Sequence, residues 1–334
     1  MKIRWGVLST ARIATEKVIP AMLQSSRLEV AAIASRDLNR ASAAAGRHGI
    51  PKAYGSYEAL VADPDIDAIY NPLPNHLHVP WTLRAIEAGK HVLCEKPLAM
   101  TRTEAEPLLQ ARDRAGVKVQ EAFMIRTHPQ WTSAIDLVRS GRIGPVRAVA
   151  GLFSFFNEDP ANVRNVAEFG GGALLDLGCY LINTSRWIFG REPARVAALV
   201  DRDPRFDVDR ITSVLLDFGA GHAIGTCSTQ QAPYQRIHVL GTTGRVEIEI
   251  PFNAPPDRPC RIFVGDGSDP LGVSAKIIEV PVCNQYLIEV EAFSRAIVDE
   301  TDVPLPLEDS LANLRVVDAV RRAAQSGQWE RVKG

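Results

Sequence analysis

The stretch Lys2-Ile3-Arg4-Trp5-Gly6-Val7-Leu8-Ser9-Thr10-Ala11-Arg12-Ile13-Ala14 opens the chain with a strand pattern, a turn of small residues and the start of a helix. Backbone N–H groups at a helix start attract a pyrophosphate, and small residues let it approach the main chain. The strict dinucleotide fingerprint asks for three glycines. Here Gly6 is the only one: Leu8 stands at the second position, Ser9 follows it, and Ala11 fills the third. By itself the turn fits either a phosphate loop or a strand–helix corner that binds nothing. Its surroundings favour the loop. Strand patterns at 3–8, 28–34, 68–71, 91–94 and 117–121 alternate with helical patterns at 13–24, 38–47, 57–62, 78–88 and 103–115. Asp37 and Thr101 stand at N-cap positions, and Gly89 and Gly116 at C-cap positions. Such alternation predicts a parallel, doubly wound α/β sheet of Rossmann type.

Past Met124 the pattern changes. One helix pattern (130–140) ends in the turn Gly141-Arg142-Ile143-Gly144-Pro145, and strands then dominate. Val246-Glu247-Ile248-Glu249-Ile250 alternates apolar and charged residues, as in a sheet with one wet face. The runs 210–218 and 222–230 flank Gly219-Ala220-Gly221 as a hairpin, and Gly241-Thr242-Thr243-Gly244 is a second tight connection. Asn253-Ala254-Pro255-Pro256-Asp257 reads as a loop, and helix patterns at 287–299 and 311–324 close the chain. The predicted organisation is a dinucleotide-binding domain, 1–123, followed by an α+β domain, 124–334, with a mainly antiparallel, open-faced sheet for substrate binding and oligomerisation.

Composition narrows the function. The chain has 334 residues, 46% of them hydrophobic, and a formal net charge of -1. Nucleic-acid and membrane-surface partners both want a basic surplus, which is missing. No run approaches the about 18 apolar residues of a membrane span, and the opening residues read as a strand rather than a signal peptide. The five cysteines are scattered without CxxC spacing, so they predict reduced thiols in a cytoplasmic protein and no metal site.

Gly6, Ser9, Thr10, Ala11, Arg12 and Ile13 are the candidate cofactor contacts of the first turn. The end of the second strand selects the dinucleotide. An NAD site places an acid there for the ribose hydroxyl; this chain has Ser35 and Arg36, a hydrogen-bonding hydroxyl and a guanidinium fork for a 2′-phosphate. NADP is therefore expected, with NAD possible. The loop Asn71-Pro72-Leu73-Pro74-Asn75-His76-Leu77-His78 follows the next strong strand, and Leu73, Asn75 and His78 are candidate cofactor contacts, with helix capping the other reading for Asn75 and His78. Cys94-Glu95-Lys96-Pro97 ends an apolar run at the carboxyl edge of the sheet, where ligands bind. Lys96 points at that ligand, and Glu95 braces the loop or touches the nicotinamide ribose.

These segments, followed by Gly170-Gly171-Gly172-Ala173-Leu174-Leu175-Asp176-Leu177-Gly178-Cys179-Tyr180, occur in an order that resembles the glucose–fructose oxidoreductase / inositol dehydrogenase family, also called Gfo/Idh/MocA. The likeness covers nearly the whole chain. It is greatest to the branch with dimeric dihydrodiol dehydrogenases and D-xylose dehydrogenases, which carry Tyr where Tyr180 stands; inositol dehydrogenases carry His. The resemblance implies that Lys96 lies by nicotinamide and substrate, that Tyr180 handles the proton and that Asp176 positions the substrate. It also implies a homodimer or homotetramer.

The residues support these roles independently. Asp176 and Tyr180 are four apart and share a helix face, with Asn183 and Thr184 continuing a polar stripe that predicts a cavity. The glycine run before them lets backbone or ligand come close. Alcohol oxidation requires a proton to leave with the hydride. A phenol with the ordinary pKa of about 10 is a poor base near neutrality, and a nearby ammonium lowers it and stabilises an alkoxide. Lys96 and Tyr180 make chemical sense as such a pair; a surface salt bridge for Lys96 and a core position for Tyr180 are the alternatives. Arg126 and His128 are further pocket candidates. The function expected is NADP-dependent hydride transfer at a hydroxyl or carbonyl carbon of a sugar or polyol. The competing readings are a sugar–sugar oxidoreductase with tightly held NADP, a non-catalytic cofactor sensor and a hydrolase working through transient oxidation.

Overall fold

The computed structural model describes residues 2–269 and 272–333. The chain forms two compact units: Met1–Thr127 with Asn284–Leu311, and His128–Cys283 with Ala312–Gly334. In the first, strands β1 (Ile3–Leu8), β2 (Leu28–Ala34), β3 (Lys52–Tyr54), β4 (Ala68–Asn71), β5 (His91–Glu95) and β6 (Val119–Ala122) form one sheet in the order β3-β2-β1-β4-β5-β6. All neighbours are parallel. β1, β4 and β5 are buried on both faces, which explains why they read as continuous apolar runs rather than alternating ones. The order reverses between β1 and β4, the switch point at which such sheets bind ligands. The sequence pattern missed β3, whose three half-buried residues are too few to show a period.

The helix caps explain where the connecting helices begin and end. Asp37 accepts from Asn39 N and Arg40 N, and Thr101 accepts from Glu104 N, each supplying an acceptor to otherwise orphaned amides. Gly116 ends its helix at φ 64°. The first helix is shorter than predicted: a wide π-type turn, Ala14–Val18, passes directly into Ile19–Met22.

One boundary differs from expectation. Helix Gln285–Val298 falls in the 124–334 segment by sequence, yet it belongs to the first unit. Its Val290 and Phe293 join Trp5, Val18, Ile19 and Leu93 in one core cluster. The Trp5 and Phe293 rings lie 5.7 Å apart, and Trp5 Nε1 donates to Ser294 Oγ at 3.2 Å. A large apolar face that needs cover pulled a distant helix across the sequence boundary.

The second unit carries a nine-stranded sheet. Its strands are β7 (Val146–Phe156), β8 (Arg195–Arg202), β9 (Asp209–Asp217), β10 (His222–Ser228), β11 (Gln230–Gly241), β12 (Arg245–Ile248), β13 (Cys260–Gly265), β14 (Lys276–Val280) and β15 (Glu330–Arg331). The order is β14-β13-β12-β11-β7-β10-β9-β8-β15, antiparallel throughout except for the β7–β10 pair. The β9–β10 hairpin and the β11–β12 connection match their sequence signals. Helix Cys179–Phe189 packs on one face, where Gly151 and Gly225 leave room for Leu181. On the other face the register places Leu199, Ser213, Thr226 and Leu152 in one row, with Leu199, Ile224 and Leu152 exposed. Among the described residues no helix is long and apolar enough to cross a membrane.

Candidate active site

In the first unit the candidate residues gather at the carboxyl ends of β1, β2, β4 and β5. After β1, Ser9 takes a left-handed backbone (φ 85°) that non-glycine residues rarely adopt. Its Oγ accepts from Ala11 N at 3.0 Å, a local bond that helps hold this conformation. The missing second glycine is thus offset by a shift of the sharp turn to Ser9. Gly6 also lies in close packing, since a Cβ there would come within 2.6 Å of the end of the Leu60 side chain. Thr10, Ala11 and Ile13 are partly exposed and Arg12 is exposed, paired with Glu16. The turn residues therefore fit a dinucleotide phosphate: small, accessible and at the switch point.

At the end of β2, Ser35 is buried and its Oγ accepts from Asp37 N, while Arg36 is exposed. The Arg36 guanidinium lies against the phenol of Tyr57, with Arg40 also nearby. Tyr57 meets Trp81 edge-on at 5.1 Å, and Arg84 stacks on Trp81 at 4.5 Å. Tyr57 and Arg40 were not picked out from sequence, because nothing local links them to Arg36.

After β4, His78 is built into the fold. Its ring is buried, with Nδ1 2.7 Å from Pro97 O and Nε2 2.6 Å from Leu73 O. Burial holds its pKa down to about 4, against the pull of those two carbonyls. His78 ties the β4 loop to the β5 loop. Leu73 is likewise buried, and Asn75 starts a short 3-10 turn, half-buried. Glu95, the last residue of β5, and Lys96 just after it are half-buried. Tyr70 donates to Glu95 Oε1 at 2.6 Å and holds that carboxylate. Glu121 Oε1 accepts from Leu98 N at 2.8 Å and fixes the loop beyond Lys96. Glu289, on the helix recruited from late in the chain, is buried near the Glu95 carboxyl, and burial drives its pKa well above the ordinary glutamate value.

In the second unit Asp176 and Tyr180 share one helix face. The helix begins with a wide π-type turn, Leu174–Gly178, that contains Asp176. Such turns recur at functional sites. A wide turn takes more than four residues per revolution, so a four-residue spacing still keeps the pair on one side. The glycine run before it is required by close backbone approach. A Cβ on Gly171 would sit 2.4 Å from Arg164 O, and one on Gly172, at φ 108°, would sit 1.9 Å from Asp209 Oδ1. Asp209 Oδ2 accepts from Leu174 N at 2.6 Å and caps the helix start.

Asp176 Oδ2 accepts from Arg164 Nε at 2.6 Å. Arg164 escaped the sequence reading, being twelve residues away on an irregular segment. Tyr180 is buried beside Phe153 (5.7 Å, edge-on) and Phe252 (5.4 Å, tilted). The polar stripe does not continue into a cavity as expected: Thr184 Oγ1 donates back to Tyr180 O at 2.8 Å, inside the helix. His128 is likewise built into the fold. It is buried, its Nδ1 accepts from Gln130 N at the start of helix Pro129–Arg139, and burial lowers its pKa to about 4. Arg126 pairs with Asp309 at 3.5 Å.

A parallel sheet with a phosphate-type turn at its switch point, and a second sheet whose helix carries an acid and a phenol one turn apart, define a two-unit oxidoreductase. The chain belongs to the GFO/IDH/MocA family. The model described as "oxidoreductase family, NAD-binding Rossmann fold" matches residues 3–123, and the GFO/IDH/MocA C-terminal domain matches 131–247. An uncharacterized oxidoreductase of Rhizobium meliloti is 50% identical over 99% of both chains. The D-xylose 1-dehydrogenase (NADP(+)) 2 of Haloferax volcanii is 39% identical, covering 97% of this chain and 98% of that one. Among solved structures, a 3-ketoreductase from Actinomadura kijaniata in complex with NADP and TDP-benzene aligns with a TM-score of 0.90 at 33% identity, over 97% of this chain and 98% of that one.

Proposed function

We propose that this oxidoreductase moves a hydride between NADP and a hydroxyl-bearing carbon of an aldose or related polyol, with Lys96 and Tyr180 as catalytic residues and Asp176 positioning the substrate. The observation that carries the reading is the half-buried Lys96 at the end of β5, one strand from the switch point, in the unit that also presents Arg36 at the end of β2. The NADP-dependent D-xylose dehydrogenase relative and the NADP-bound structural neighbour support it.

Ser9–Ile13 would hold the pyrophosphate with main-chain amides, and Arg36 would fork onto the 2′-phosphate. Glu95, Leu73 and Asn75 would border the nicotinamide end. Held there, the cofactor would supply the hydride acceptor for the alcohol carbon. The Lys96 ammonium would stabilise negative charge on the substrate oxygen, and Tyr180 would take the hydroxyl proton. Asp176 would accept a hydrogen bond from a sugar hydroxyl and fix which carbon reacts. The exposed Leu152, Leu199 and Ile224 on the open face of the second sheet would close against another copy of the chain in a homodimer or homotetramer, since exposed apolar patches mark interaction surfaces.

The test is a panel of D-xylose, D-glucose, D-galactose and L-arabinose assayed with NADP+ and NAD+ in parallel. At least one aldose should reduce NADP+ with a kcat/KM above that for NAD+. No turnover with any member, or turnover with NAD+ alone, would overturn the reading.

A further inference from the structure

The segment between β7 and the helix of Asp176 and Tyr180 is held by a set of specific contacts. Asn162 Oδ1 accepts from Arg164 N at 3.1 Å and starts the short turn Val163–Asn165. The buried Asn165 donates from Nδ2 to Asn157 Oδ1 and Asp159 O, both at 2.9 Å. Arg164 O accepts from Gly172 N at 2.9 Å, and Gly171 leaves no room for a side chain beside that carbonyl. The main chain of Arg164 is thus locked to the glycine run that precedes Asp176.

From this anchored point the side chain reaches Asp176 with its Nε at 2.6 Å from Oδ2, and its guanidinium carbon lies 5.6 Å from the Phe155 ring centroid. The aspartate side chain is only 12% exposed and the arginine 40%. A charge-assisted bond to a mostly buried carboxylate both fixes its rotamer and favours its ionised form.

We propose that Arg164 is a positioning residue of the substrate site: it holds the Asp176 carboxylate, ionised and in one orientation, as an acceptor for the hydroxyls of an uncharged sugar. This rests on the reading of Asp176 as a substrate contact given above. A carboxylate offers about four acceptor positions. Arg164 takes one of them on Oδ2, and adjacent hydroxyls of a polyol would approach the same carboxylate. Because the guanidinium balances the aspartate's charge, the subsite presents no net anion. The geometry also assigns the glycine run a function: it brings the Arg164 backbone against the start of the Asp176 helix, and a larger residue would drive the two apart.

The experiment uses the intact enzyme, NADP+ and the four aldoses of the panel. R164A should raise KM for the preferred aldose at least tenfold. Its kcat should fall less than threefold, and KM for NADP+ and the melting temperature should be unchanged. R164K should recover part of the loss, since an ammonium supplies charge without the planar fork. D176N should raise KM comparably, and R164A/D176N should be no worse than D176N alone within about twofold, because the two act as one unit. Multiplying losses in the double variant, or a lowered melting temperature with unchanged KM in R164A, would overturn the assignment. A D176N enzyme with wild-type KM would sink the reading of Asp176 itself. A wild-type enzyme inactive on every aldose would sink the proposed function.

Discussion

The candidate cofactor residues of the first unit gather where parallel strands end, while Asp176 and Tyr180 of the second are part of a helix packed into a core. The difference decides how separable chemistry is from stability. Lys96 and Arg36 project from loop positions, half-buried and exposed, and the fold beneath them is held by other residues: Trp5, Tyr70, His78, Glu121 and Phe293. Tyr180 is itself a core residue, with Phe153 and Phe252 against its ring. In the first unit a side chain can be lost with the scaffold intact. In the second, only an atom-scale change isolates the chemistry.

The largest effect should come from the two proposed catalytic groups. K96M and Y180F should each lower kcat on the preferred aldose by about 10³-fold, the usual order for losing a proton-transfer or charge-stabilising group. Both should melt near the wild-type temperature. The comparison sharpens with Y180A, which removes the ring as well as the hydroxyl and should cost about 3–5 kcal/mol of stability, against almost none for K96A. Thermal melts of the four variants alongside their turnover would reveal it. If K96A melts as early as Y180A, the division between loop-borne and core-borne chemistry fails.

A smaller change is expected at Arg36. Loss of a hydrogen-bonded charge contact is worth about 1.5–3 kcal/mol, or about 10- to 150-fold in affinity. R36A should raise the KM for NADP+ by about that factor and leave NAD+ within about twofold. Equal losses for the two cofactors would remove Arg36 from the 2′-phosphate. Because the side chain is exposed and its scaffold is elsewhere, stability should not move.

What could be read from the sequence follows the same division. The alternation of strands and helices, the caps at Asp37, Thr101 and Gly116, and the lysine at the end of β5 are local signals, and each lies where its pattern placed it. The family signature made Asp176 and Tyr180 visible together. What stayed hidden is set by contacts distant in sequence. Helix Gln285–Val298 is amphipathic, and nothing in its own residues says which sheet it covers. Arg164 is defined as a partner of Asp176 only after the glycine run folds the segment back. His78 is a further case: nothing in its own neighbours says that two carbonyls face its buried ring and make it a brace between loops.

The smallest effect separates the two units by how each keeps a buried acid. Asp176 has an arginine at 2.6 Å. Glu289 is 3% exposed, its Oε1 has no hydrogen-bond partner among the described residues, and the Glu95 carboxyl acts on it as a like charge. Burial first, and Glu95 second, raise the pKa of Glu289 well above the ordinary value. In the unfolded chain the group ionises near pH 4.3. The stability it permits is therefore complete below that pH and is lost progressively as pH rises toward the folded pKa, since unfolding releases a proton throughout the interval. Glutamine copies the neutral acid in shape and cannot ionise. E289Q should accordingly be more stable than wild type at pH 7–8, on the order of 2 kcal/mol, with the gain shrinking to nothing near pH 4. Chemical denaturation at several pH values would measure it. A variant less stable than wild type at neutral pH would mean that Glu289 is held ionised, and the contrast between the two acids would be lost.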